Sequence, residues 1–327
     1  MTGDGLVVGL TGATGHIGGR LLARLADDPA VGAIRSVARR PLPPELNGPR
    51  VAHVQADVAS VAARAALRGV DVLYHLAAQV WAGRGPGAMH AMHRANVEGA
   101  INVLEVAPAA AVLASSVSVY GAWPANPLPM TEDHLPRPNP ECPYAQHKWV
   151  AERMWAQGGG RWAVARLAAV LGPHADLRVA RSVRGYRYAV PAVRGVTQAV
   201  QWLDEEDAVS GLLALGRALV AGAPAVPGRV FNLAPPDWLG AADVARVAGG
   251  RVVALPRAGL LRLAEAVRAS RATPFGADRA VLLDGPLAAA PDRAAEVLGW
   301  RPQRSSAQVL SEALGRPWQT APRNRAV

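Results

Sequence analysis

The sequence is notable first for what it has little of. It has one cysteine, Cys142, so no intrachain disulfide can form, and the chain suits a reducing cytoplasm. No apolar run is long enough to read as a membrane span: Ile101–Val119 is broken by Glu105, Pro108 and serines. Met1–Gly5 lacks the basic region of a signal peptide, so none is expected. Lysine is almost missing. Of 35 basic residues only Lys148 is a lysine, and all the others are arginine. A sequence that otherwise writes arginine points, at Lys148, to a task that a planar guanidinium fork does not perform.

What is present fits a soluble enzyme. The 327 residues are 50% hydrophobic and 18% charged, enough apolar matter for a large core and too much for a disordered chain. The net charge of +10 raises the question of a polyanionic partner. Apart from Arg39-Arg40 the arginines are scattered singly, with no basic stripe interleaved with aromatics. A solvated basic surface is therefore expected, with neither nucleic acid nor membrane as partner.

The first 170 residues or so alternate short apolar runs with amphipathic ones, as in a doubly wound parallel α/β sheet. Strands are expected at Leu6–Leu10, Ala33–Val37, Val51–Gln55, Val70–Leu76, Val112–Ser115 and Trp162–Val170, with helices at Ile17–Ala26 and Asn96–Ala107. Residues 1–173 are read as a dinucleotide-binding domain, to which 201–236 return through the helix Glu205–Val220 and the strand Val230–Leu233. Residues 174–200 and 237–315 are read as a smaller, mostly helical substrate lobe, and 316–327 as a mobile tail.

Thr11-Gly12-Ala13-Thr14-Gly15-His16-Ile17-Gly18 falls where the first strand gives way to a helix. Gly12 permits the tight turn, Gly15 lets the backbone approach a pyrophosphate, and Gly18 allows close helix–strand packing. Backbone N–H groups and the positive helix end then face the anion. The second strand ends in Ala38-Arg39-Arg40, and no acid occurs between Asp28 and Glu45. An arginine there can fork onto a 2′-phosphate, so NADP is favoured over NAD.

Tyr144 and Lys148, four apart and preceded by Pro143, share one face of a helix. A phenol titrates near ~10, and bringing it to ~7 takes about 4 kcal/mol of selective stabilisation of the phenolate. An ammonium beside it in a dry cleft is suited to that task. Val112–Gly121 is an apolar run ending in hydroxyls, at the carboxyl edge of the sheet where open-sheet ligands bind, and Ser116 can align a substrate oxygen there.

These motifs resemble the extended short-chain dehydrogenase/reductase family, the NAD-dependent epimerase/dehydratase group, over nearly the whole chain. The matches in family order include Ala56-Asp57-Val58, His75-Leu76-Ala77-Ala78, Asn96-Val97-Glu98-Gly99, Arg166, Gly172-Pro173, Trp202-Leu203 with Asp207, and Leu298-Gly299-Trp300-Arg301-Pro302. The resemblance implies that Asp57 and Val58 meet the adenine, that Leu76, Ala77 and Ala78 pass under the cofactor near Asn96, and that the protein forms a homodimer. It also implies Ser116, Tyr144 and Lys148 as the catalytic group.

Three departures bear on the substrate. Val117-Ser118 replaces the acidic pair of the family's dehydratases. Ala168-Ala169-Val170-Leu171-Gly172-Pro173 lacks the asparagine with which many nucleotide-sugar epimerases hold a diphosphate. His147 stands where a serine or threonine is common. With Gln79, Trp81, Ser118 and Trp123 beside Ser116 as candidate substrate contacts, the expected activity is NADP(H)-dependent interconversion of a small, largely apolar alcohol and ketone. The alternatives are an epimerase acting by transient oxidation and a non-catalytic dinucleotide sensor. His90 and His93 lie one turn apart without an acidic or thiol partner, so no metal is expected.

Overall fold

The computed structural model describes residues 5–81, 83, 85–270 and 275–316. The N-terminal segment Met1–Asp4 and the tail beyond residue 316 lie outside the described residues. Among the described residues eleven strands are formed: β1 (Leu6–Thr11), β2 (Val31–Ala38), β3 (Val51–Gln55), β4 (Val72–His75), β5 (Ala110–Ser116), β6 (Arg161–Leu167), β7 (Ala169–Leu171), β8 (Ala189–Val193), β9 (Trp202–Asp204), β10 (Arg229–Leu233) and β11 (Arg251–Leu255).

Seven of them make one sheet in the order β3-β2-β1-β4-β5-β6-β10, with every pair parallel. Central strands of such a sheet are covered on both faces, which is why β4 (VLYH) and nearly all of β5 are buried at every position. On one face Leu21, Leu22 and Leu25 of helix His16–Asp27 pack with Leu212, Leu215 and Leu219 of helix Glu205–Val220, over Leu10, Tyr74 and Val112. On the other, helices Val61–Leu67, Gly99–Leu104 and Pro143–Gln157 bury Leu67, Val103 and Trp155 over Leu73 and Leu113. Each such side chain removed from water contributes about 1.5–3 kcal/mol.

The strand order reverses between β1 and β4, which lie side by side with Thr11 opposite His75. The carboxyl ends of these two strands therefore open the crevice in which a doubly wound sheet binds its ligand.

Two expectations need correction. The strand expected over Trp162–Val170 ends at Leu167. The Ala168 amide turns to the Leu233 carbonyl (3.0 Å), and β7 leaves the sheet to pair with β9. The helix expected at Asn96–Ala107 starts earlier, at Ala88, passes through a π-turn over Arg94–Glu98 and ends as an α-helix from Gly99 to Leu104. A Cβ at Gly99 would collide with the Val58 side chain, so the helix runs close against the loop after β3. The C-terminal part is mostly helical, as expected, with short strands among its helices. Its strands β8 and β11 pair in parallel, and 284–291 run irregularly, with bridges from Met130 to Ala289 and from Ala199 to Pro286.

Among the described residues no helix is long and apolar enough to cross a membrane. Among the described residues Trp155 is the largest fully buried side chain. It donates its indole N–H to the Ala100 carbonyl (3.3 Å) and stacks on His75 at 6.1 Å between ring centroids. Replacing it by alanine is expected to lower stability by about 3–5 kcal/mol, and by phenylalanine distinctly less. The shift in denaturant midpoint checks this.

Candidate active site

The glycine turn sits at the strand-order reversal and is tied across it. The Thr11 hydroxyl shares a 2.8 Å hydrogen bond with His75 Nδ1 and accepts one from the Ala77 amide at 3.2 Å. Burial, with Lys148 adding repulsion, pushes His75 down to about 3, so its ring is neutral. Gly12 has φ +79°, and a Cβ there would lie 2.8 Å from the Ala77 amide nitrogen. A Cβ at Gly18 would collide with the Gly12 carbonyl oxygen. Gly15 is exposed and caps helix His16–Asp27 without any side-chain hydrogen bond, leaving the first-turn N–H groups open. The cradle is thus one that side chains would fill, and it fits a pyrophosphate.

The flanking residues divide between ligand-facing and structural positions. The Arg40 guanidinium donates to the Thr14 carbonyl (2.5 Å), bracing the turn, whereas Arg39 is exposed at the end of β2. The Asp57 carboxylate accepts from the Ala59 amide (2.8 Å) and lies 3.5 Å from Arg94 Nε, with Val58 buried behind it. Asn96 is buried inside the π-turn and bonds both backbone groups of Gln79, at 2.6 and 2.9 Å. It thereby fixes the segment from Leu76 to Gln79. The His16 side chain, by contrast, is turned away from the turn's mouth. Its Nε2 meets one oxygen of Glu205 at 2.6 Å, and His174 Nδ1 meets the other at 2.5 Å. Only the backbone of His16 remains for a phosphate.

Ser116 ends β5, and Tyr144 and Lys148 occupy one face of helix Pro143–Gln157. The Ser116 hydroxyl accepts from the amide and the hydroxyl of Ser118, at 3.2 and 3.0 Å. Lys148 is buried, donates to the Ala114 carbonyl (2.6 Å) and stands 5.8 Å from the centroid of the Tyr144 ring. Burial pushes its ammonium down to about 8, against an upward pull from the Glu152 carboxylate. Glu152 is held in turn by Arg166 Nη2 at 2.7 Å and by the Ser115 hydroxyl, and the Arg166 guanidinium stacks on the Tyr120 ring at 4.7 Å. Burial also raises the Tyr144 phenol above its ordinary value. The strongest influence in the other direction is the Arg279 guanidinium, with Ser116 helping.

Arg279 was not foreseen from the sequence, because one more arginine among so many carries no signal. It stacks 4.5 Å from the centroid of the Tyr144 ring and 5.1 Å from that of Trp81, and it donates to the Val80 carbonyl at 2.7 Å. The phenol's surroundings therefore include a guanidinium as well as aromatic rings. Trp81 is present but shares a cation with Tyr144, while Trp123 donates to the Arg137 carbonyl (2.6 Å) and stacks under the Arg137 guanidinium. Ser118 is buried and serves Ser116, and the Gln79 side chain bonds the Trp81 carbonyl at 3.0 Å. His93 lies against His147, with ring centroids 5.2 Å apart, rather than pairing with His90. Among the described residues no group of three His, Cys, Asp or Glu side chains is arranged to hold a metal ion. Cys142 is fully buried, and burial raises its thiol, so it is no activated nucleophile. Glu205 was also missed, since in sequence it reads only as the start of a helix.

A doubly wound parallel sheet with this turn at its reversal point defines a nicotinamide-dependent enzyme of the short-chain dehydrogenase type. The model of the NAD dependent epimerase/dehydratase family matches residues 8–234, and the chain belongs to that family. An uncharacterized protein of Mycobacterium tuberculosis (strain H37Rv) is 29% identical over 324 residues, covering 94% of this chain and 82% of its own. An epimerase of Methanothermobacter thermautotrophicus superposes with a TM-score of 0.72 at 20% identity, covering 95% of this chain and 92% of that one. The UDP-glucuronic acid 4-epimerase of Bacillus cereus, solved with UDP-glucuronic acid and NAD, gives 0.69 at 18% identity, covering 95% and 98%.

The His16–Glu205–His174 cluster joins the glycine turn to the segment after β7, and its contribution has a definite pH sign. Burial works to raise the Glu205 carboxyl, but hydrogen bonds from His174 and His16 outweigh it and hold the group below its usual range. Its stabilisation is therefore fully present above the unfolded carboxyl value of ~4.3 and is lost as pH falls through the lower folded value. Glu205→Gln is expected to cost about 1–3 kcal/mol at pH 7, and the gap to wild type should close in acid. Thermal unfolding of both proteins between acid and neutral pH measures this. A gap independent of pH would contradict it.

Proposed function

We propose that the protein is an epimerase that oxidises a secondary alcohol carbon and reduces it again in place, with Tyr144 as the acid–base group. The observation that carries this reading is the convergence of Ser116, Tyr144 and Lys148 beside a turn shaped for a dinucleotide pyrophosphate. Membership of the epimerase/dehydratase family supports it, as do the epimerases among the structural relatives.

A bound nicotinamide dinucleotide supplies the hydride acceptor and donor. The chain does the rest. The amides of Ala13, Thr14, His16 and Ile17, at the open end of the following helix, would hold the pyrophosphate, those of Gly12 and Gly15 being bonded to the Val37 and Gly12 carbonyls. Asp57 and Val58 would border the adenine, and the Leu76–Ala78 segment, fixed through Asn96, would lie beneath the dinucleotide. Lys148, already bonded to the Ala114 carbonyl, has donors left for the nicotinamide ribose. Ser116 would align the substrate oxygen while Tyr144 takes its proton and later returns it. The substrate need not be an apolar ketone, because a guanidinium stands beside the phenol. UDP-sugars, named with the Bacillus cereus relative, belong in the first substrate panel, alongside simple ketones.

For the dinucleotide, exposed Arg39 and the lack of any acid between Asp28 and Glu45 support NADP over NAD. Arg39→Asp is expected to weaken NADP+ binding roughly tenfold or more, consistent with losing one charged hydrogen bond, while NAD+ binding is kept or improved. Titration calorimetry with both dinucleotides decides it, and equal losses for the two would remove the preference.

Tyr144→Phe should leave dinucleotide binding intact and slow turnover by about 10²–10⁴-fold. In the epimerase mode substrate inverts with no net change in absorbance of the reduced dinucleotide. Steady consumption of that dinucleotide with a ketone would show the net oxidoreductase instead, and full activity of the Phe variant would remove Tyr144 from the chemistry.

A further inference from the structure

Tyr144 is approached by two cations on different parts of the chain. Lys148 comes from its own helix and is directed at the Ala114 carbonyl, 5.8 Å from the ring centroid. Arg279 comes from the short helix Ala277–Ala280, far along the chain, and lies closer, at 4.5 Å. Its guanidinium is pinned on two further sides by the Trp81 ring and the Val80 carbonyl, and its Nε is buried without a hydrogen-bond partner. A cation over a ring face is attracted by the ring quadrupole, and more strongly once desolvated.

We propose that Arg279 is a positioning residue for the catalytic phenol: a permanent second cation, delivered by the C-terminal segment, that holds the Tyr144 ring and favours its ionised form. This rests on the reading of Tyr144 as the acid–base group. The other groups facing the phenol do not replace that charge. Ser116 from β5 is neutral, and Cys142 on the same helix works in the opposite direction. Lys148 loses its charge near pH 8, under the opposing influences of burial and Glu152. A guanidinium does not lose its charge at any pH the protein survives. Glu141 and Asp278 lie nearby and act on Cys142. Because Val80 and Trp81 follow the segment that runs beneath the proposed dinucleotide, Arg279 also clamps that segment to the tyrosine.

The test reads the phenol directly, without substrate. Difluorotyrosine, which acidifies every phenol, is incorporated throughout, and the Tyr144 fluorine signal is assigned by its loss in Tyr144→Phe. Arg279→Met is expected to move the Tyr144 titration upward by about one pH unit or more, the size of a single nearby-charge effect. Arg279→Lys should recover part of the shift. Circular dichroism confirms that each variant is folded, and should the Met variant not fold, Arg279→Gln serves in its place. An unchanged titration in a folded variant that has lost the charge overturns the proposal. A shifted titration with no turnover of any alcohol would leave the proposal standing and count against the epimerase reading instead.

Discussion

The arrangement depends on one close approach of backbone to backbone. The turn after β1 and the segment after β4 meet because Gly12 carries no Cβ, since one there would be 2.8 Å from the Ala77 amide nitrogen. Gly18 must likewise lack one, so that helix His16–Asp27 can start against the turn. From this contact follow the Thr11–His75 and Thr11–Ala77 hydrogen bonds, which clamp the two strand ends at the point where strand order reverses. The crevice thus has a rigid floor, and the loops above it carry the variable chemistry.

Around that floor the chain spends buried charge sparingly, with each ion answered by another group. Arg166 and Glu152 are 3% exposed and would each be costly alone. Together, with the Ser115 hydroxyl on the carboxylate and the Tyr120 ring under the guanidinium, they form a paired unit one helical turn beyond Lys148, in which Arg166 Nη1 has no hydrogen-bond partner among the described residues. Glu205 plays a similar part on the other side of the turn, where a Cβ on Gly172 would collide with its carboxylate. The glycine in Gly172-Pro173 is therefore needed for the Glu205 cluster as well as for chain direction.

Much of the frame was legible in the sequence because it rests on local rules. Glycine spacing after an apolar strand, Pro143 before the helix of Tyr144 and Lys148, and apolar runs for doubly covered strands each have a nearby physical cause. The parts that were not legible depend on contacts distant in sequence. The π-turn at Arg94–Glu98 exists so that Asn96 can reach Gln79, and periodicity alone reads through it as ordinary helix. The departure of β7 from the main sheet needs β9 as a partner, more than thirty residues on. His16 looked like a phosphate contact by its place in the motif, yet its ring goes to Glu205, 189 residues away. Arg279 is separated from Tyr144 by more than a hundred residues and is one of many arginines, so neither spacing nor composition could single it out.

The scarcity of lysine takes on a sharper meaning beside that arginine. An ammonium buried at Lys148 is brought to about 8, a range in which it can gain or lose its proton while staying bonded to a carbonyl. A guanidinium at the same position would stay charged and would present a flat fork to a site that calls for a compact donor with three directions. At Arg279 the demands are reversed. Two aromatic faces and a carbonyl suit a planar, weakly hydrated cation, and the phenol is served by a charge that does not vanish. The single lysine and this one arginine thus divide between them what one cation could not do for the same tyrosine: exchange a proton, and never lose one.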